Sequence, residues 1–121
     1  MCDGGSRRLD TNRIAQALEE YVNRISTDQN TLAVVLYGSL ATERYTGSSD
    51  VDLLIILADS SERFLDRMAA YIDPAFPAPL DPKVYTVAEI RSGQWGPGSF
   101  VERALVGGRY LYKKPGVKLL R

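Results

Sequence analysis

The sequence predicts an α+β domain, in which a small mixed β-sheet of about four strands is flanked by helices. Two observations lead to this prediction. Short apolar runs rich in β-branched residues alternate along the chain with amphipathic segments of helical period. Capping residues, glycines and prolines separate these segments from one another. The 121 residues fit one compact domain, so we expect a single domain over residues 1–121, while the strand order stays open.

The N-terminal part of the chain predicts a helix and then a strand. The helix is capped by Asp10 or Thr11 and carries one apolar stripe that we expect to face the core. The stripe consists of Ile14, Leu18, Tyr21, Val22 and Ile25. The apolar run Leu32–Tyr37 predicts a buried strand that ends at Gly38. Residues 40–44 are predicted to form a short helical segment.

The middle of the chain predicts a second strand and a second long helix. The strand covers Asp50–Leu57 and is polar only at its start, so its far end is expected to be buried on both faces. Asp59 and Glu62 resemble a capping box, which predicts a helix over residues 61–71. A proline-rich connector over residues 73–82 follows.

The C-terminal part completes the alternation of helices and strands. Its predicted elements are a strand over Lys83–Thr86, a short helix from the capping pair Thr86 and Glu89 to about Arg91, a glycine-rich loop over residues 92–99, a helix over Phe100–Val106 that Gly107-Gly108 ends, and a strand over Arg109–Lys113.

The composition excludes several classes of function. Acidic and basic residues balance at 15 each, so no net field would draw the chain onto nucleic acid or an anionic membrane. The chain has no histidine, so a metal site must use oxygen ligands. One cysteine excludes a disulfide framework, and no apolar stretch is long enough to cross a bilayer. We therefore expect a cytoplasmic protein with neither a membrane nor a general nucleic-acid partner.

Asp50 and Asp52 are the first candidates for chemistry. They open the second predicted strand two positions apart, so their carboxylates project from the same face. Such a pair can hold hard divalent cations such as Mg²⁺, and two ions so held can bind the attacking and leaving oxygens of a phosphoryl transfer. The pair alone is more typical of a solvated strand end.

Gly38 and Ser39 form a second candidate site. A glycine and a serine between an apolar strand and a short helix can present backbone N–H groups and a hydroxyl to a phosphate. Taken alone, the pair is also consistent with a strand-to-helix turn in which Ser39 is the N-cap.

The two candidate sites together form a more specific pattern. It reads Gly38-Ser39-Leu40-Ala41, then eight residues, then Asp50-Val51-Asp52-Leu53. This pattern resembles the DNA polymerase β-like nucleotidyltransferase superfamily, and in particular its minimal nucleotidyltransferase domains. The resemblance covers the core of the chain, residues 32–113, and implies a polymerase β-like fold. Glu43 departs from the pattern, because many members have a second glycine there.

Members of this superfamily take a third carboxylate from a later strand, ahead of a Tyr-Thr pair and a glutamate-containing helix start. The corresponding stretch is Leu80–Glu89, which places Asp81 at the matching position. Pro82 is unusual there, since proline is confined to strand starts, edges and bulges, and Asp81 could instead begin a turn. Lys83 would share a face with Asp81 and could lie near nucleotide phosphates, although most surface lysines do not bind them.

The resemblance implies a metal-dependent transfer of a nucleoside monophosphate. Asp50, Asp52 and Asp81 would be the catalytic carboxylates and would hold two Mg²⁺ ions. Gly38 and Ser39 would bind the triphosphate of the nucleotide, which we expect to be ATP. An acceptor hydroxyl would attack the α-phosphorus, and pyrophosphate would leave.

The acceptor stays open at this point. Stand-alone domains of this kind are often encoded beside a small helical HEPN protein, so the resemblance implies an antitoxin that adds AMP to a tyrosine of that toxin. The acceptor could also be a small molecule or RNA, and a homo-oligomer could supply its recognition. A different class of function is a non-catalytic antitoxin that neutralises its partner by contact, which Glu43 and Pro82 keep open.

Overall fold

In a computed structural model of the chain, the described residues are 3–37, 51–92 and 100–117, with side chains described for residues 13–37, 51–92 and 101–117. These residues form four helices and four strands. In chain order the elements are α1 (Asp3–Ser26), β1 (Thr31–Tyr37), β2 (Val51–Leu57), α2 (Phe64–Tyr71), β3 (Leu80–Thr86), α3 (Val87–Ser92), α4 (Phe100–Gly107) and β4 (Arg109–Lys113).

The four strands form one sheet in the order β3-β2-β1-β4. β1 lies antiparallel to β2 and to β4, whereas β3 lies parallel to β2. The predicted α+β fold with a small mixed sheet and flanking helices is therefore confirmed. β1 and β2 are the central strands, and helices cover both of their faces, which explains why their sequences are continuously apolar.

Each face of the sheet has its own apolar cluster, because alternate residues of a strand point to opposite faces. The α1 face carries Val34, Leu36, Val51, Leu53, Ile55, Leu57 and Val84. The predicted stripe of α1 packs on it, with Ile25 only partly buried. The α4 face carries Ala33, Val35, Leu54 and Ile56, which pack with Ile90, Val101, Ala104 and Leu105. The alternation divides the apolar side chains of the central strands between these two helical layers.

Two elements begin earlier than predicted. α1 begins at Asp3, and β3 begins at Leu80, so that Asp81 lies within a strand and the alternative turn at this position is wrong. β3 is an edge strand of the sheet, which is a position that tolerates the missing N–H of Pro82. None of the helices in the described part of the chain, including the 24-residue α1, is both long and apolar enough to span a membrane.

The predicted capping box at Asp59 and Glu62 is wrong. α2 begins at Phe64, its N-cap is Arg63, and no side chain caps it. Both backbone groups of Asp59 are instead bonded to the side chain of Asn30, at 3.1 Å from the N–H and 2.8 Å to the carbonyl. These bonds hold Asp59 to the turn before β1, so it cannot start the helix.

The second predicted capping box is confirmed. The N–H of Glu89 donates to Oγ1 of Thr86 at 3.2 Å, and the N–H of Thr86 donates to Oε1 of Glu89 at 2.9 Å. This reciprocal pair satisfies two donors at the start of α3.

The predicted end of the last helix at Gly107-Gly108 is also confirmed. A Cβ on Gly108 would lie 2.4 Å from the carbonyl oxygen of Ala104 and 2.6 Å from Cγ1 of Val35, whereas a Cβ on Gly107 would meet nothing within 4 Å. The chain therefore needs glycine at residue 108, where it leaves α4 and passes close against β1.

Candidate active site

Asp52 and Asp81 lie side by side on neighbouring parallel strands. In the register of β2 and β3, Asp52 is the Cα partner of Asp81, and both are the second residue of their strand. Partners in register project from the same face of a sheet, and neighbouring strands are about 4.8 Å apart. The structure therefore brings together two aspartates that are far apart in sequence, on the α4 face and at the same end of their strands.

Tyr37 extends this row of polar side chains onto β1. It is the antiparallel partner of Asp52, so Tyr37, Asp52 and Asp81 lie across three adjacent strands on one face. Burial raises the pKa of the Tyr37 hydroxyl well above its ordinary value, and the negative charges of Asp52 and Asp81 raise it further. The neighbourhood of Tyr37 thus contains two carboxylates together with the positive charge of Arg103. The sequence predicts Tyr37 only as the last residue of a buried strand, because its position opposite Asp52 depends on strand pairing.

The other predicted site residues lie outside the described part of the chain. Gly38 and Ser39 directly follow Tyr37 in sequence, and Asp50 directly precedes Val51. The roles of these three residues, and the catalytic role of the whole set with Asp52 and Asp81, stay predictions.

The backbone around the two aspartates is anchored by buried neighbours. Val51 and Leu53, on either side of Asp52, are fully buried on the α1 face. The N–H of Val51 donates to the carbonyl oxygen of Pro79 at 2.8 Å, which joins the start of β2 to the residue before β3. These contacts fix the strand ends that carry both carboxylates.

Lys83 makes an ion pair with Asp81. Its Nζ lies 2.5 Å from Oδ1 of Asp81, and the side chains are 26% and 42% exposed respectively. The prediction that the two residues share a strand face is therefore confirmed, and the described partner of the ammonium is a carboxylate of the candidate site.

The donor set suits a hard divalent cation. Asp52 and Asp81 supply carboxylate oxygens from one face of the sheet, and such oxygens are the ligands that Mg²⁺ prefers. Within residues 13–37, 51–92 and 101–117 no group of three acidic, cysteine or histidine side chains comes together. Asp50, the remaining predicted ligand, directly precedes β2 in the sequence.

Arg67 and Glu89 form a second polar cluster at the opposite end of β3. The Arg67 side chain is only 6% exposed, and two of its nitrogens each lie 2.9 Å from an oxygen of Glu89. Arg67 also donates to the carbonyl oxygens of Glu62 and Val84, both at 3.2 Å. These bonds join α2 and α3 to β3.

Comparison with known proteins points to one family and one fold. The family of nucleotidyltransferase domains matches residues 17–108 of the chain. Among solved structures, a proposed nucleotidyltransferase from Sulfolobus solfataricus is similar, with 22% sequence identity, a TM-score of 0.62 and 95% of each chain covered. At this identity the likeness shows the fold alone. No curated protein matches the chain.

Proposed function

The chain belongs to the family of nucleotidyltransferase domains, and from this premise we propose that it transfers AMP from ATP to an acceptor hydroxyl in a Mg²⁺-dependent reaction. The family supports a nucleotidyltransferase in general. The nucleotide, the metal and the acceptor are our proposals. A cytoplasmic location belongs to the same proposal, since that compartment supplies ATP.

The pairing of Asp52 with Asp81 is the observation that carries the proposal. Two carboxylates at partner positions of parallel strands repel each other, and the Lys83 ammonium pairs with the carboxylate of Asp81. A bound cation removes that repulsion. The arrangement is therefore the one expected of residues that hold a metal and a charged substrate.

The proposed roles follow from these positions. Asp50, Asp52 and Asp81 would hold Mg²⁺, which when bound supplies positive charge against the phosphates of the nucleotide. Gly38 and Ser39 would bind the β- and γ-phosphates through N–H and hydroxyl donors.

Asp81 would also act on the acceptor. It would accept the proton of the acceptor hydroxyl as that oxygen forms a bond to the α-phosphorus. The bond from the α-phosphorus to the bridging oxygen would break, and pyrophosphate would leave with that oxygen. Positioning and charge account for catalysis in such a site, so histidine is not required.

Transfer of label from ATP tests the site. Wild type, Asp52→Asn and Asp81→Asn are incubated with Mg²⁺, α-labelled ATP and the candidate acceptor, and the labelled product is quantified. Each variant should lose at least about a hundredfold in rate, because the isosteric amide keeps the shape and removes the charge. Asp66→Asn is the matched control, since Asp66 is an exposed α2 residue whose ion pair with Arg63 lies on the surface. Wild-type rates in Asp52→Asn or Asp81→Asn would refute the site.

For the acceptor, we propose a tyrosine hydroxyl of a small helical HEPN-type partner, as the resemblance implies. The assay is run with that partner, with total RNA and with the chain alone, and mass spectrometry locates the AMP. AMP on a partner tyrosine supports the proposal. AMP on RNA, or on the chain itself, would overturn this acceptor, and binding of the partner without any transfer would favour the non-catalytic antitoxin.

A further inference from the structure

Lys83 forms an ion pair with one of the carboxylates of the candidate site. Its Nζ donates to Oδ1 of Asp81 at 2.5 Å, and about three quarters of its side chain is covered. In the register of β2 and β3 its partner is Leu54, which is fully buried, so the apolar stem of the lysine lies beside an apolar neighbour. The ammonium is therefore held toward Asp81 by the strand geometry and by its own stem.

The charges of the three residues show what this contact does. Asp52 and Asp81 are partners on adjacent strands, where like charges destabilise a sheet. Lys83 offsets one of the two negative charges from the same face. It does so at an oxygen of Asp81, which is the kind of atom that a divalent cation would bind.

We propose that Lys83 is a positioning residue that acts through Asp81. In the metal-free protein the Lys83 ammonium forms an ion pair with this carboxylate, and the pair separates when a divalent cation binds. The inference rests on the metal-binding part of the proposed function. Because the ammonium and the divalent cation repel each other at one carboxylate, Lys83 lowers the affinity of the nucleotide-free site for metal. The triphosphate of an incoming nucleotide brings the negative charge that favours loading of the metal, so metal binding becomes coupled to substrate binding.

Binding of Mn²⁺ without nucleotide tests the proposal, since free Mn²⁺ can be measured by electron paramagnetic resonance. Lys83→Met keeps the apolar stem and removes the charge, and should bind Mn²⁺ about tenfold more tightly than wild type, because a unit charge a few ångström from a divalent ion is removed. Lys83→Arg keeps the charge and should bind no more tightly than wild type. Lys113→Met is the matched control: it makes the same charge change on β4, at the other edge of the sheet.

The Asp81→Asn background shows whether the effect runs through Asp81. In this background the Lys83→Met substitution should no longer change the affinity for Mn²⁺. Lys83→Gln is measured in parallel, and thermal melts identify the variant that keeps the wild-type fold.

Four results would overturn the proposal. They are equal or weaker Mn²⁺ binding by Lys83→Met, an equal gain in Lys113→Met, a gain that persists in Asp81→Asn, and no Mn²⁺ binding by either wild type or Lys83→Met. The assay contains neither nucleotide nor acceptor. Tighter metal binding by Lys83→Met without any AMP transfer would therefore refute the proposed reaction and leave the role of Lys83 standing.

Discussion

Glu89→Gln tests how the edge strand that carries Asp81 is held in the fold. The Glu89 carboxylate accepts two hydrogen bonds from the buried guanidinium of Arg67 and one from the N–H of Thr86. Glutamine keeps the shape and one acceptor oxygen. It removes the charge and one of the two bonds to Arg67.

The expected cost follows from these contacts. Breaking a fully buried ion pair costs about 3–5 kcal/mol, because the remaining charge is left without a partner. Glu89 is 42% exposed, so water reaches the pair and reduces this cost, and Arg67 keeps its bonds to the carbonyl oxygens of Glu62 and Val84. We expect a loss of about 2 kcal/mol in the free energy of unfolding, or roughly 8 °C in Tm for a chain of this size.

The difference in stability between wild type and Glu89→Gln should depend on pH in a definite direction. The hydrogen bonds from Arg67, with further help from Thr86, hold the pKa of Glu89 below its ordinary value. A carboxyl group whose pKa is lower in the folded state contributes stability above its unfolded pKa, and loses it as the pH falls through the folded pKa. The difference between wild type and Glu89→Gln should therefore be full at neutral pH and should shrink below about pH 4.5.

Urea denaturation followed by circular dichroism between pH 3 and pH 7 measures this difference. Glu62→Gln is the control, because Glu62 hydrogen-bonds to Arg67 through its backbone carbonyl, whereas its exposed side chain acts on Arg67 only through its charge. Equal stability of the two variants at pH 7, or a difference that grows in acid, would refute the assignment of the pair as a support for β3.

Four further substitutions test the packing of the fold. Gly108→Ala should lower the free energy of unfolding by about 2 kcal/mol, because its Cβ would lie 2.4 Å from a backbone oxygen, whereas Gly107→Ala should be neutral within about 0.5 kcal/mol. Equal Tm values for Gly108→Ala and Gly107→Ala would contradict the close approach of residue 108 to α4 and β1. Tyr21→Phe should cost about 1 kcal/mol, because the hydroxyl of this buried ring donates to the carbonyl oxygen of Tyr71 at 2.6 Å; the more exposed Tyr110→Phe should cost less in the same melts, and the reverse order would be inconsistent with the structure.

Local patterns predicted those parts of the fold that depend on neighbours in sequence. The stripe of α1 follows from its helical period, and β1 and β2 follow from short continuous apolar runs. The capping box of Thr86 and Glu89 closes over three residues. The box at Asp59 failed because a side chain 29 positions away, that of Asn30, binds this residue. A pattern three residues long carries no information about such a competitor.

In the candidate site, too, local patterns predicted the residues but not their contacts with distant parts of the chain. Asp52 and Asp81 could be singled out from motifs, but their pairing depends on the order β3-β2-β1-β4, which no local pattern specifies. The same pairing explains Pro82, which is compatible with a strand only because β3 is at an edge. The contact of Arg67 with Glu89, across 22 positions of sequence, was missed for this reason too.

The register between β2 and β3 also couples the packing of the core to the position of Asp81. A slip of one residue would turn Asp81 onto the α1 face, among apolar side chains, and would turn Val84 away from them. A slip of one residue therefore cannot misplace this carboxylate without also misplacing the core residue Val84. Asp81 and Val84 lie three positions apart, on opposite faces of β3, so one extra residue between them would place both side chains on the same face. Selection for a folded chain alone therefore protects the geometry of the site against such frame-preserving insertions.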